Sequence, residues 1–243
     1  LPGWMTNVTA GRMANKLNLH DLNFTVDTAC SSGIASLIPA VYQLMFGNVD
    51  MMISGGLNRQ LSDSFTSGVC ALGAVAEKTP KPFDADGAGF LIGEGAVLYL
   101  LKRLDKALAD GDEIYAVIDA VHGSSEADSK SMVAPSEEAM TRSIRNAIER
   151  AQTDPNEIGV VDTHGSANPI SDIVEARSIA TELRKNGAAK PIHITAIKSH
   201  VGHLYGGSGA ASMLSTIQSL RTKKVPGIRN LNTVRPELVE IGN

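Results

Sequence analysis

The stretch NFTVDTACSSGIASLIPAVYQLM, residues 23–45, decides the fold class. Asn23 to Asp27 reads as a short strand. It runs into a turn of small residues, Thr28-Ala29-Cys30-Ser31-Ser32-Gly33. Beyond the turn, apolar residues fall at positions 34, 37, 38, 41, 44 and 45, the spacing of a largely buried helix that Gly47-Asn48 stops. The same strand-and-helix pattern continues outward. Val49 to Gly56, Ala96 to Leu101, Ile114 to Val121, Ile158 to Thr163 and Ile192 to Ile197 read as strands. Leu104 to Ala109, Glu137 to Gln152, Asp172 to Leu183 and Gly209 to Leu220 read as helices. The second of these places Met140, Ile144, Ala147, Ile148 and Ala151 on one face. Alternation over this length predicts one compact α/β unit, layered around a mainly buried sheet.

Composition excludes several function classes. The chain has 243 residues, 43% of them hydrophobic, enough for a substantial core. Lys and Arg total 22 against 26 Asp and Glu, so the net charge of -4 gives nucleic-acid binding no electrostatic support. Two cysteines make neither a disulfide scaffold nor a four-cysteine zinc site. No apolar run has the length of a membrane span, no signal peptide is visible, and a cytoplasmic location is expected. The first residue is Leu1, followed by Pro2-Gly3, which leaves open a piece of something longer.

Cys30 lies where a strand turns into a helix. There the helix dipole lowers a thiol pKa, and free backbone N–H groups can hold an oxyanion. A small buried hydrophobe is the rival reading of Cys30. It is the favoured reading of Cys70, in its small apolar surroundings, and no disulfide between the two is expected. His164 and His203 both follow predicted strands, beside glycine, at the edge where ligands bind in open α/β sheets. A zinc site from His200, His203 and Cys30 is less well supported, because the intervening glycines make no rigid helical platform, so no metal is expected. Gly93 to Gly95 and Gly206-Gly207-Ser208-Gly209 match no nucleotide fingerprint and read as turns and tight packing.

Four blocks together resemble the β-ketoacyl synthases, the condensing domains of fatty-acid and polyketide synthases. Asp27 to Ser32 is similar to the DTACSS active-site cysteine motif, and Pro82 to Gly95 to an FD…DGF…GEG segment. Val161 to Asp172 is similar to VEAHGTGTPLGD, and Ile197 to Leu204 to VKSNIGHL. Arg103 to Ala107 and Lys130 to Pro135 resemble the large polyketide or polyunsaturated fatty-acid type. The resemblance implies a thiolase-like αβαβα layered sandwich, here incomplete: the end of the N-terminal half over about 1–110 and most of the C-terminal half over about 111–243. It implies that Cys30 takes an acyl chain from the phosphopantetheine arm of an acyl-carrier protein, with no cofactor bound to the domain itself. It also implies that His164 and His203 assist decarboxylation of a malonyl thioester, that Lys198 orients the histidines, and that Ser166 and Asn168 meet the substrate arm. Neighbouring synthase domains and a second copy of the chain are the further partners implied.

The chain departs from the pattern in three ways. HGTGT is here His164-Gly165-Ser166-Ala167-Asn168, and the Asn of KSNIGH is His200. Family members are several hundred residues long, so a domain truncated at both ends is expected. No segment like GFGGTNAH, which in the family supplies a gatekeeping aromatic and a second oxyanion N–H, occurs in the sequence, and weakened condensation is expected. The rival functions are an acyl-thioester or ester hydrolase working through Cys30, and a catalytically silent fragment. The rival fold is a thiolase-like acyl-CoA enzyme.

Overall fold

A computed structural model describes residues 5–59, 62–127, 134–184 and 190–242. The chain opens with α1 (Asn7–Lys16), and the stretch after Cys30 forms two helices, α2 (Ser32–Ala35) and α3 (Leu37–Met45). The sequence pattern predicts one helix after Cys30. Pro39 has no N–H for the carbonyl of Ala35, so the ladder breaks and restarts with the proline in a first turn, where it is tolerated. Ser36, at the break, turns its hydroxyl to the carbonyls of Gly33 and Gly55 instead.

β1 (Met51–Asn58) and β2 (Gly95–Lys102) pair antiparallel, from Met51 opposite Lys102 to Asn58 opposite Gly95. Between them lies α4 (Asp63–Ala71), capped by the Ser62 hydroxyl. α5 (Leu104–Asp110) ends at Gly111, whose φ of 72° suits glycine. α6 (Glu137–Ala151) starts at the Ser136 cap with Glu137 and Glu138 in its first turn. β3 (Val160–Asp162) and β4 (His193–Thr195) pair parallel, with α7 (Pro169–Leu183) as the crossover between them. α8 (Lys198–Val201), α9 (Ser208–Thr222) and α10 (Pro236–Gly242) complete the chain. α6 lies against α7, where the Ser178 hydroxyl bonds the carbonyl of Glu137 and Arg145 pairs with buried Glu182 at 2.7 Å.

Two predicted strands pair with nothing among the described residues. Asn23 to Asp27 and Ile114 to Val121 carry no ladder, and Ile114, Tyr115 and Val117 are exposed. β-branched alternation marks a chain ready to join a sheet, but a ladder needs a neighbour. The β1–β2 ribbon is likewise covered on one face only. Ser54 and Asn58 are buried toward α2, α3 and α9, while Met51, Leu57, Leu98 and Leu100 on the other face are exposed.

Glycines set the closest approach. A Cβ on Gly56 would stand 2.1 Å from the carbonyl oxygen of Gly206, and one on Gly33 would stand 2.7 Å from the backbone N of Ala210. β1, α2 and the turn after His203 therefore touch backbone to backbone. Gly56→Ala should force β1 off that turn and cost about 3 kcal/mol, the upper end for overpacking a core. A urea midpoint unchanged from the parent chain would contradict this.

Candidate active site

Cys30 sits in a one-turn 3-10 helix, Ala29–Ser31, that leads into α2. Side chains lace this turn. Ser32 Oγ donates to the carbonyl of Ala29 and accepts from Thr28 N, and Asp27 Oδ1 accepts from Ala29 N. Ala29 takes φ of 51°, a left-handed conformation that costs a non-glycine residue on the order of 1–2 kcal/mol. The small polar residues that flag this segment in the sequence are the ones that hold the strained turn and aim the thiol.

His203 meets Cys30, its Nε2 lying 3.1 Å from the sulfur. Its backbone is fixed by the glycine-dotted segment: His203 N donates to the carbonyl of Leu91 and its own carbonyl accepts from Gly93 N. The backbone N of Tyr205 donates to His203 Nδ1 at 2.9 Å, and Ser208 Oγ lies 2.8 Å from the same nitrogen. A ring nitrogen that accepts an N–H carries no proton, so the imidazole proton is on Nε2 and points at sulfur. Three aromatic rings complete the surround. Tyr205 stacks on His203 at 4.5 Å and 9°, Phe90 meets it edge-on at 4.5 Å, and Phe65 of α4 meets Tyr205 edge-on at 4.9 Å.

His164 follows β3, and its ring stands 5.5 Å from that of His203 at 83°. The Glu175 carboxylate of α7 accepts from the backbone N of His164 and of Gly165. Lys198, at the start of α8 and almost wholly buried, donates from Nζ to the carbonyl of His164 at 2.7 Å. Lys198 and Glu175 thus hold the same two-residue turn from opposite sides. Burial pushes Glu175 up and Lys198 down, while each opposes that shift in the other.

Burial and the Lys198 charge hold both imidazoles below their ordinary range, His203 down to about 2. His164 as a whole residue is exposed, unlike buried His203. Both rings are neutral N–H donors at neutral pH. Burial raises the Cys30 thiol, against the pull of the Lys198 charge and of its own backbone N–H. The helix-start argument points the other way, but desolvation of the thiolate outweighs it, because the helix here is a single short turn. Iodoacetamide alkylation of Cys30 should therefore rise with pH through a midpoint above the ordinary 9.0. A midpoint at or below that of free cysteine would overturn this.

Ser166 and Asn168 are turned to local tasks. Ser166 is buried, accepts from Asn168 N, and its hydroxyl acts on the Asp172 carboxyl; burial lifts that carboxyl to about 6. Asn168 caps α7, its Oδ1 accepting from Ile170 N and Ser171 N, while the residue as a whole stays exposed. His200 is exposed and its Nε2 meets the carbonyl of Gly227. Cys70, expected to be buried, is exposed on α4, because that helix buries only Val69; both thiols are free. Among the described residues no group of three or more His, Cys, Asp or Glu side chains could hold a metal ion. Nor is any helix among them long and apolar enough to cross a membrane. Sequence reasoning missed Tyr205, Ser208 and Glu175. Tyr205 and Ser208 lie within five residues of His203, but only the folded turn shows that they hold its ring.

Known proteins resemble this chain in sequence and in backbone. Residues 1–107 match the family model for the beta-ketoacyl synthase N-terminal domain, and residues 115–232 that for the C-terminal domain. One subunit of the polyunsaturated fatty acid synthase from Thraustochytrium is 32% identical over 242 residues, covering 95% of this chain. A mycocerosic acid synthase-like polyketide synthase from Mycobacterium tuberculosis is 34% identical over 218 residues, covering 89%. The chain spans only 8% and 10% of those two proteins. The ketosynthase from module 6 of the bacillaene synthase of Bacillus subtilis superposes with a TM-score of 0.92 at 28% identity, over 98% of this chain and 43% of that one. The ishigamide ketosynthase/chain length factor superposes at 0.87 and 26%, over 96% and 57%. With the two halves of one family matched in order and the backbone superposed throughout, this chain belongs to the beta-ketoacyl synthase family and carries the thiolase-like α/β fold of its ketosynthase domains.

Proposed function

We propose that this chain carries out decarboxylative Claisen condensation of an acyl group on Cys30 with a malonyl-type thioester. The observation that carries this is the His203 tautomer: Nδ1 is occupied by Tyr205 N–H, so Nε2–H faces sulfur 3.1 Å away as a donor and not as a base. In the first step Cys30, ionised to its thiolate, attacks an acyl thioester; the C–S bond breaks, and the carrier sulfur leaves with that electron pair as a thiolate that takes up the proton Cys30 released. In the second, a malonyl thioester loses carbon dioxide, and the electron pair passes into the thioester as an enolate. Neutral imidazole N–H groups of His164 and His203 suit that developing oxyanion. The enolate carbon then attacks the acyl-Cys30 carbonyl, the C–S bond breaks, and the thiolate returns as a 3-ketoacyl thioester departs.

The domain is read as the end of an N-terminal half over about 1–110 and most of a C-terminal half over about 111–243. Its substrates arrive on the phosphopantetheine of an acyl-carrier protein, in a cytoplasmic synthase with neighbouring domains. Ser166 and Asn168 are read as the residues that meet that arm, Asn168 from an exposed position and Ser166 from a buried one. Incubation with an acyl thioester and then a malonyl-carrier should give a mass increment on Cys30 followed by a 3-ketoacyl product. Release of free acid alone would instead support hydrolysis, and no adduct a silent domain. The exposed row Met51, Leu57, Leu98 and Leu100 favours pairing with a second copy. Light scattering should show mass rising with concentration, and a strict monomer at high concentration would overturn that pairing.

A further inference from the structure

Tyr205 has a feature that its positioning of His203 does not require. Its hydroxyl is enclosed and meets no hydrogen-bond partner among the described residues, although the ring itself is only half-buried. Stacking on His203 needs the ring, and fixing Nδ1 needs the backbone N–H; a phenylalanine would serve both. An enclosed hydroxyl without a partner is destabilising, and such groups in native proteins call for an explanation. The surroundings narrow it. The ring lies flat against the imidazole whose far nitrogen is 3.1 Å from Cys30 Sγ. Burial, with smaller pushes from charge on Cys30 and on Cys70, holds the phenol pKa up, at about 12. Phe65, on a helix that buries only Val69, meets the Tyr205 ring edge-on.

We propose that Tyr205 is a specificity-determining residue of the acyl site: its unpaired phenol hydroxyl pairs with an oxygen on the acyl chain of Cys30, so that hydroxylated or keto acyl groups are favoured over fully reduced chains of the same length. This rests on reading Cys30 as the acyl acceptor. A site that holds a polar group for a substrate oxygen rejects the analogue lacking that oxygen, because the protein's own group is left unpaired.

Intact-protein mass spectrometry of Cys30 acylation by 3-hydroxybutyryl- and butyryl-N-acetylcysteamine thioesters tests it. The parent chain should acylate about tenfold faster with the hydroxylated thioester, the scale of one buried hydrogen bond. Tyr205→Phe, which keeps the stack and the backbone donor, should bring the ratio to about one, with the hydroxylated thioester slower and the butyryl thioester faster. A general weakening of the site would slow both and leave the ratio where it was. That result, or a parent chain that takes both thioesters equally, overturns the assignment to Tyr205 alone. No acylation by either thioester overturns the acyl-acceptor reading and this one with it.

Discussion

Cys30→Ala should abolish acyl transfer and leave the rest of the site standing. The substitution removes one sulfur from a half-buried position, and the turn around it is held by Asp27, Ser31 and Ser32 rather than by the thiol. Stability should move by about 1 kcal/mol or less. Condensation should fall by a factor of about a thousand or more, because no other group within reach can take the acyl chain and form a good leaving thiolate. Cys70, the other thiol, is exposed on a helix that offers it no imidazole, and it cannot substitute. Carbon dioxide release from a malonyl thioester is the discriminating readout. In the proposed mechanism that step uses the N–H donors of His164 and His203 and not the thiol, so it should persist in Cys30→Ala. It should fall by about a hundredfold in His203→Ala, the cost of one oxyanion donor. Loss of carbon dioxide release in both variants alike would sink the separation of the two steps.

The sequence carries the catalytic candidates better than the scaffold that positions them. Cys30, His164 and His203 each follow a run of strand character and lie beside small residues, and such patterns are local. The chain brings His203 to Cys30 through a short backbone bridge with Leu91 and Gly93, and through contact of Gly56 and Gly33 with the turn after His203. Those glycines look like turn residues in sequence; their use is that no Cβ would fit. The Cys30 ionisation is the instructive miss. Helix-start chemistry argues for a lowered pKa, but burial wins, and how deeply a thiol is buried depends on segments far from it in the chain, such as the one that brings His203 to the sulfur. Strand propensity misleads for a related reason. Ile114 to Val121 has the composition of a strand, yet pairing is a property of two segments, and among the described residues it forms no ladder.

Lys198→Met should show how much of the site depends on a charge that touches neither reacting atom. Methionine is close to lysine in length, so packing changes little, and the effects are electrostatic. Lys198 is almost wholly buried, and Glu175, Asp162 and Asp172 all act on it. Removing it leaves Glu175 buried without its compensating charge, which should cost on the order of 3 kcal/mol. It also frees the His164 carbonyl from its 2.7 Å bond and so loosens the ring above it. The Cys30 thiol, which the Lys198 charge pulls down, should then titrate higher still, and alkylation near pH 8 should slow about tenfold. The double variant Lys198→Met, Glu175→Gln separates the two roles. Neutralising the stranded carboxylate should recover most of the stability, since an isosteric neutral pair has little desolvation to offset. It should not recover the alkylation rate, because the positive charge near sulfur is still absent. If stability and alkylation return together, Lys198 serves the thiol only by holding the fold. If stability alone returns, the lysine sets the sulfur's ionisation directly, through a field that acts on Cys30 from behind the His164 turn.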